Sequence, residues 1–156
     1  LLYYNEGAQF LIQLTQQNVR IPVLGGDAWY GPIARLAGEA ARLLVFSSVA
    51  FGPEFQGTPE AVRFRSEFRN RYGQDADSYS ATGYDAVQVA GRAIDTGGTD
   101  PDKIRQAISA LDFDGALGHI RFNNKGDNIG AKFSLFCVQD DKVIPYTRAL
   151  KKESSK

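Results

Sequence analysis

Arg20-Ile21-Pro22-Val23-Leu24-Gly25-Gly26-Asp27 is the stretch that decides the fold class. It is a short apolar run, predicted as a buried strand, that stops on two glycines and a carboxylate. Before it, residues 5–18 carry Gly7, Phe10, Leu11 and Leu14 at three- to four-residue spacing, which is one apolar stripe on a helix. After it, a brief helix is expected over 30–39 with Ile33, Leu36 and Ala37. Leu43-Leu44-Val45-Phe46 follows, a continuous apolar run that suits a strand covered on both faces. Helical period alternating with short apolar runs predicts α/β layers around a mostly parallel sheet.

Farther along, residues 47–57 read as a loop. Thr58-Pro59-Glu60 starts a helix, because Thr can cap and Pro suits the first helical position. Ala61, Phe64, Phe68 and Tyr72 line its inner face until Gly73. A longer helix is expected over 78–95 with Val87, Ala90 and Ile94 inward, closed by Gly97-Gly98. Asp100-Pro101 starts another, with Ile104, Ala107, Ile108 and Leu111 on its buried side. The period then changes to two. Ile120 and Phe122 alternate with His119 and Arg121, and Phe133, Leu135 and Cys137 alternate with Ser134 and Phe136. Lys151 to Lys156 is a polar tail.

Composition removes several function classes. The 156 residues hold 18 basic and 18 acidic groups, so no global basic field exists to hold nucleic acid or an anionic membrane. A single Cys excludes an internal disulfide framework, and no Cys/His cluster is present for a structural zinc. No apolar run approaches the ~20 residues of a membrane span. The opening Leu1-Leu2-Tyr3-Tyr4 has no initiator Met, and the chain is expected to be part of a longer polypeptide.

Enzyme constellations are poorly supported. His119 is the only imidazole, and a hydrolytic triad needs a nucleophile, a base and an orienting group that converge. Cys137 falls on an apolar strand face, where free Cys acts as a small hydrophobe. Gly25-Gly26-Asp27 lacks the spacing of a phosphate loop, and its carboxylate would repel phosphate. Asp112-Phe113-Asp114-Gly115 and Asn124-Lys125-Gly126-Asp127-Asn128 lack the ligand spacing of a calcium loop and are expected to be turns. No catalytic residue, metal or cofactor is expected.

Tyr3 with Asp27 is the more informative pair. In open α/β sheets, ligands gather outside the carboxyl ends of strands. Leu1-Leu2 resembles the end of one strand and Asp27 ends the next, so a phenol and a carboxylate would share one crevice. A carboxylate in a partly desolvated cleft suits an ammonium group, and aromatic faces suit cations and apolar bodies. Trp29 and Tyr30 would form the wall. The competing expectation is that Asp27 caps the helix beginning near Tyr30.

Tyr3-Tyr4-Asn5-Glu6 followed by Arg20 to Trp29 resembles the second lobe of type I periplasmic solute-binding proteins, among them the branched-chain amino acid (Leu/Ile/Val) receptors of ABC transporters. The resemblance continues in order through residues 37–41, Phe46-Ser47-Ser48, residues 68–73, residues 80–86, Phe113-Asp114-Gly115, residues 118–122 and the Asn124-Lys125-Gly126-Asp127 turn. It implies a three-layer αβα fold, two-lobed and incomplete. Residues 1–48 and 125–156 would belong to lobe two and residues 49–124 to lobe one, with hinges near Ser48 and Asn124. Both lobes would lack their first strands and expose sheet edges, which opens the piece to self-association.

Its functional implication is a non-enzymatic receptor, periplasmic or extracellular and directed there by a signal or lipid in the parent. It would close around an amino acid or related amine and deliver it to a membrane permease. Tyr3 and Asp27 would meet the ligand's ammonium end, with Trp29 nearby. Asp27 stands where some receptors carry Glu, which shortens the reach. The same fold also serves as a ligand-sensing module of regulators and receptors, including amide sensors, and this is the alternative function.

Overall fold

The strand expected before Gly26 forms as β1 (Val23–Gly25) and is shorter than the apolar run around it. The computed structural model describes residues 2–55 and 57–146; the polar tail lies outside them. By internal contacts the chain divides into two units, Leu1–Val49 with Phe133–Lys156, and Ala50–Lys132.

In the first unit, α1 (Tyr4–Gln16) precedes β1, and α2 (Ile33–Ala37) leads to β2 (Leu44–Val49). The chain returns as β5 (Phe133–Gln139) and β6 (Lys142–Pro145), giving the order β1-β2-β5-β6. Only β1–β2 is parallel among these pairs, with Val23 opposite Leu44. β2–β5 and β5–β6 are antiparallel, so the expected dominance of parallel pairing is corrected. The physical reason is the return: β5 enters alongside β2 from the other direction and turns straight back through a hairpin. That hairpin turns on Asp140 and Asp141, both at positive φ.

Paired residues share a sheet face and successive residues alternate. On one face Leu44, Phe46 and Phe136 are fully buried, and Tyr30 meets the Phe46 and Phe136 rings edge-on at 6.1 and 5.3 Å. Ala8 and Leu11 of α1 and Ile33, Ala34 and Ala37 of α2 are buried with them. The other face carries Leu24 beside Val45 and Cys137, and Ser47 beside Leu135. There Leu24 is 81% exposed and Phe133 66%.

The second unit holds α3 (Pro59–Tyr72), α4 (Ser78–Gly97), α5 (Pro101–Ser109), β3 (Asp112–Asp114) and β4 (His119–Arg121). The α3 start is as the sequence predicts: Thr58 accepts the N–H of Ala61 at 3.0 Å and Pro59 is the first helical residue. Gly73 closes it at φ 68°, a left-handed position that glycine fills without strain. Asp77 caps α4, accepting the N–H of Ser80 at 2.7 Å. The core is Phe51, Phe64, Ala81 and Ala116, with Phe68 and Tyr84 packed against it.

Two expectations are corrected here. The buried residues of α4 are Ser78, Ala81, Asp85, Ala93 and Gly97, whereas Val87 and Ile94 are exposed. Close approach decides the facing: a Cβ on Gly97 would lie 2.7 Å from the backbone nitrogen of Ile104, so α5 packs where α4 is smallest. Asp112 to Asp114 form β3 rather than a turn, paired with β4 through Phe113 opposite Ile120.

Candidate functional site at the end of β1

Gly25 ends β1, and Gly26 leads into a single 3-10 turn over Asp27–Trp29. Asp27 opens that turn at the carboxyl end of the strand and is exposed. Tyr3 immediately precedes α1 in extended conformation and is 65% exposed. Both groups therefore reach solvent. Trp29 does not: it is 8% exposed, so its ring serves as packing. Tyr30, the other expected wall residue, turns onto Phe46 and Phe136.

The indole of Trp29 fills a slot between two glycines. A Cβ on Gly25 would fall 2.9 Å from its Cγ, and a Cβ on Gly7 would fall 3.0 Å from its Cζ3. Next to it, Gly31 at φ 141° lets the Tyr4 ring approach to 3.1 Å of where a Cβ would stand. The start of α1 and the turn after β1 are thus packed together. The helix beyond the turn, α2, begins at Ile33 behind Pro32, later than the start near Tyr30 that the capping expectation assumed, and Pro32 makes no side-chain cap bond.

The second unit carries three polar assemblies. Asp85 is buried and accepts the N–H groups of Ala116 and Leu117 at 2.7 and 2.9 Å. Burial raises its pKa above the ordinary value, and the two N–H donors oppose that. Glu60 accepts from Arg63 at 2.6 Å and from the Tyr84 hydroxyl at 2.6 Å, which holds its carboxyl below the usual range. His119 sits with Nδ1 2.9 Å from Asp114 and Nε2 2.8 Å from Asp112, and its pKa is raised, chiefly by the Asp114 bond. Cys137 is buried in the first unit's sheet. Among the described residues no group of three or more His, Cys, Asp or Glu side chains could hold a metal ion. No described helix is long and apolar enough to cross a membrane.

The sequence did not single out the roles of Gly7, Gly25 and Asp85. The available signal for the slot is a glycine inside a helical stripe and another ending the strand four residues before the lone Trp. Asp85 sits midway along an apolar helix, where a carboxylate needs a partner. The partners, Ala116 and Leu117, are 31 and 32 residues away.

Comparison with known proteins fits this architecture. The family described as periplasmic binding protein matches residues 1–142. A leucine binding protein of Thermotoga maritima is 30% identical with a TM-score of 0.82; the match covers 92% of this chain and 41% of that one. An ABC transporter substrate-binding protein of Desulfitobacterium hafniense, solved in complex with Leu, is 28% identical with a TM-score of 0.73 over 89% and 39%. The branched-chain amino acid transporter substrate binding protein of Streptococcus pneumoniae, solved with isoleucine, shares the fold at 23% identity, TM-score 0.77, over 91% and 41%. The chain spans about two fifths of the length of these proteins. These relatives are substrate-binding proteins rather than enzymes. With an α/β fold, a glycine-lined strand end and a family match over nearly its whole length, this chain belongs to the periplasmic binding protein family.

Proposed function

We propose that this chain is part of an extracytoplasmic solute receptor that binds an amino acid or related small amine and hands it to the membrane permease of an ABC transporter. The observation that carries the reading is Asp27: an exposed carboxylate at the carboxyl end of a sheet strand, on a turn packed against the helix that follows Tyr3. A carboxylate there recognises an ammonium group, and the Tyr3 ring and hydroxyl add a cation-facing surface and a hydrogen bond. Relatives solved with Leu and isoleucine support the amino-acid class. The two units are portions of the receptor's two lobes, and the remaining ligand contacts come from polypeptide outside these 156 residues. Delivery needs no covalent step, because a solute that binds the closed state best shifts the population toward it. The receptor acts in the periplasm or at the cell surface, where its permease is reached.

The test is a thermal-shift screen of the natural-length polypeptide against leucine, isoleucine, valine, amides and simple carboxylates. Binding to the native state raises Tm by linkage. A shift with the amino acids is expected; a shift confined to solutes without an ammonium group overturns the assignment.

A further inference from the structure

We infer that Trp29 is a positioning residue, whose indole, seated between Gly7 and Gly25, fixes where Asp27 stands relative to Tyr3. This rests on Tyr3 and Asp27 as the ammonium contacts and adds the device that spaces them.

Contacts run continuously from one group to the other. On the helix side, the N–H of Gly7 donates to the carbonyl of Tyr3 at 2.7 Å. The six-membered part of the indole lies against Gly7, where a Cβ would be 3.0 to 3.1 Å from Cζ3, Cε3 and Cη2. Its five-membered part lies against Gly25, where a Cβ would be 2.9 to 3.1 Å from Cγ, Cδ1 and Cδ2. On the turn side, the N–H of Trp29 donates to the carbonyl of Gly26 at 3.2 Å and that of Tyr30 to the backbone carbonyl of Asp27 at 2.9 Å. Asp27 and Trp29 therefore belong to one hydrogen-bonded turn, so a push on the ring acts on the turn that carries Asp27.

Two glycines of different elements leave room for one rigid ring: a methyl group on Gly25 forces the ring to shift, and one on Gly7 crowds it by a few tenths of an ångström. Trp29 itself is too buried to touch a solute over any useful area. Its contribution lies in holding a charged contact to a fixed distance, and such contacts lose much of their worth when displaced by about 1 Å.

The experiment compares leucine with 4-methylpentanoate, which keeps the carboxylate and side chain but lacks the ammonium group. Affinities for both are measured on the natural-length polypeptide for the unaltered protein, Gly25→Ala, Trp29→Phe and the double variant. Gly25→Ala pushes the ring and is expected to lower the leucine preference about tenfold, while 4-methylpentanoate affinity stays nearly constant. The smaller Phe ring leaves room for the added methyl, so the double variant regains most of the preference. Trp29→Phe alone loosens the slot and also lowers the preference, which keeps a readout if Gly25→Ala fails to fold. A lowered Tm with the preference unchanged in both single variants overturns the positioning role and leaves the receptor reading intact. An unaltered protein that binds neither probe, or binds both equally, overturns the ammonium site itself, and the positioning role with it.

Discussion

Asp85 accepts the backbone N–H of Ala116 at 2.7 Å, joining the middle of α4 to the turn that follows β3. The second carboxylate oxygen takes the N–H of Leu117 at 2.9 Å. Gly115 completes the arrangement, because a Cβ there would lie 2.7 Å from both carboxylate oxygens. Asp85→Asn presents an amide N–H₂ to one of these donors and leaves a buried N–H unpaired, at a cost of about 1–3 kcal/mol. The pH dependence has a defined sign. Burial raises the folded-state pKa of Asp85 above its unfolded value, so its contribution is fully present below the unfolded pKa and is lost as pH rises through the folded one. The stability difference between the unaltered protein and Asp85→Asn should therefore shrink as pH increases from about 4. Melting curves at a series of pH values check this; a difference that grows with pH contradicts it.

His119 offers a direct titration, since it is the only histidine and gives one imidazole C2 proton signal. With both ring nitrogens beside carboxylates, the protonated ring can donate to Asp114 and Asp112 at once. Its NMR midpoint should lie above the ordinary value of about 6.5. The Asp114 bond is the larger cause, so Asp114→Asn should lower the midpoint more than Asp112→Asn. Stability gained from this pair is present below the unfolded pKa and disappears as pH rises through the raised folded value. A midpoint at or below that of a free histidine contradicts the arrangement.

Much of this was legible because local chemistry acted alone. Thr58-Pro59 and Asp100-Pro101 specify helix starts whatever surrounds them, and both are met: Asp100 accepts the N–H groups of Asp102 and Lys103. Gly25-Gly26-Asp27 marked the strand end and the turn in the same way. The facing of α4 was not legible, because its apolar stripe through Val87 and Ile94 competes with the small face through Ala81, Ala93 and Gly97. Close packing against α5 and the Asp85 bonds chose the small face, and both partners are distant in sequence. The sequence places Asp27 and Tyr3 beside a strand end, and both are exposed there; it does not show that Trp29 fills the slot between Gly7 and Gly25. Aromatic residues line sites and fill slots alike, and only the absence of a Cβ at two positions separates the two uses.

Thr58 does two jobs that a second substitution can separate. Its hydroxyl oxygen accepts the N–H of Ala61 at 3.0 Å, and its O–H donates to the carbonyl of Gly115 at 2.7 Å. Thr58→Ala removes both and should destabilise by about 1–2 kcal/mol, while Thr58→Ser should retain most of the stability. Asp100→Ala removes an exposed cap alone and should cost about 1 kcal/mol. Chemical denaturation of the three variants gives the order, and Thr58→Ala must be costlier than Asp100→Ala for the Gly115 bond to matter.

The uncovered face of the first unit's sheet makes the last prediction. Leu24, Leu135 and Phe133 are 81%, 50% and 66% exposed on one side of a sheet whose other side buries Leu44, Phe46 and Phe136. The register sets Leu135 beside Ser47 and Phe133 beside Val49, on the face that also carries Leu24 and Val45, so most of the side chains there are apolar. A mostly antiparallel sheet can leave one face to water, but that face is then ordinarily polar, and an open apolar face of this kind drives association. With a formal net charge of zero, long-range repulsion does not oppose it. The 156-residue chain alone should therefore sediment as concentration-dependent oligomers, and Phe133→Lys with Leu135→Lys should return it to the monomer. In the natural-length polypeptide the same pair should lower Tm by several degrees if further chain covers the face, and should be almost neutral if the face stays open. A chain that is monomeric at every concentration, with or without the lysines, contradicts the prediction.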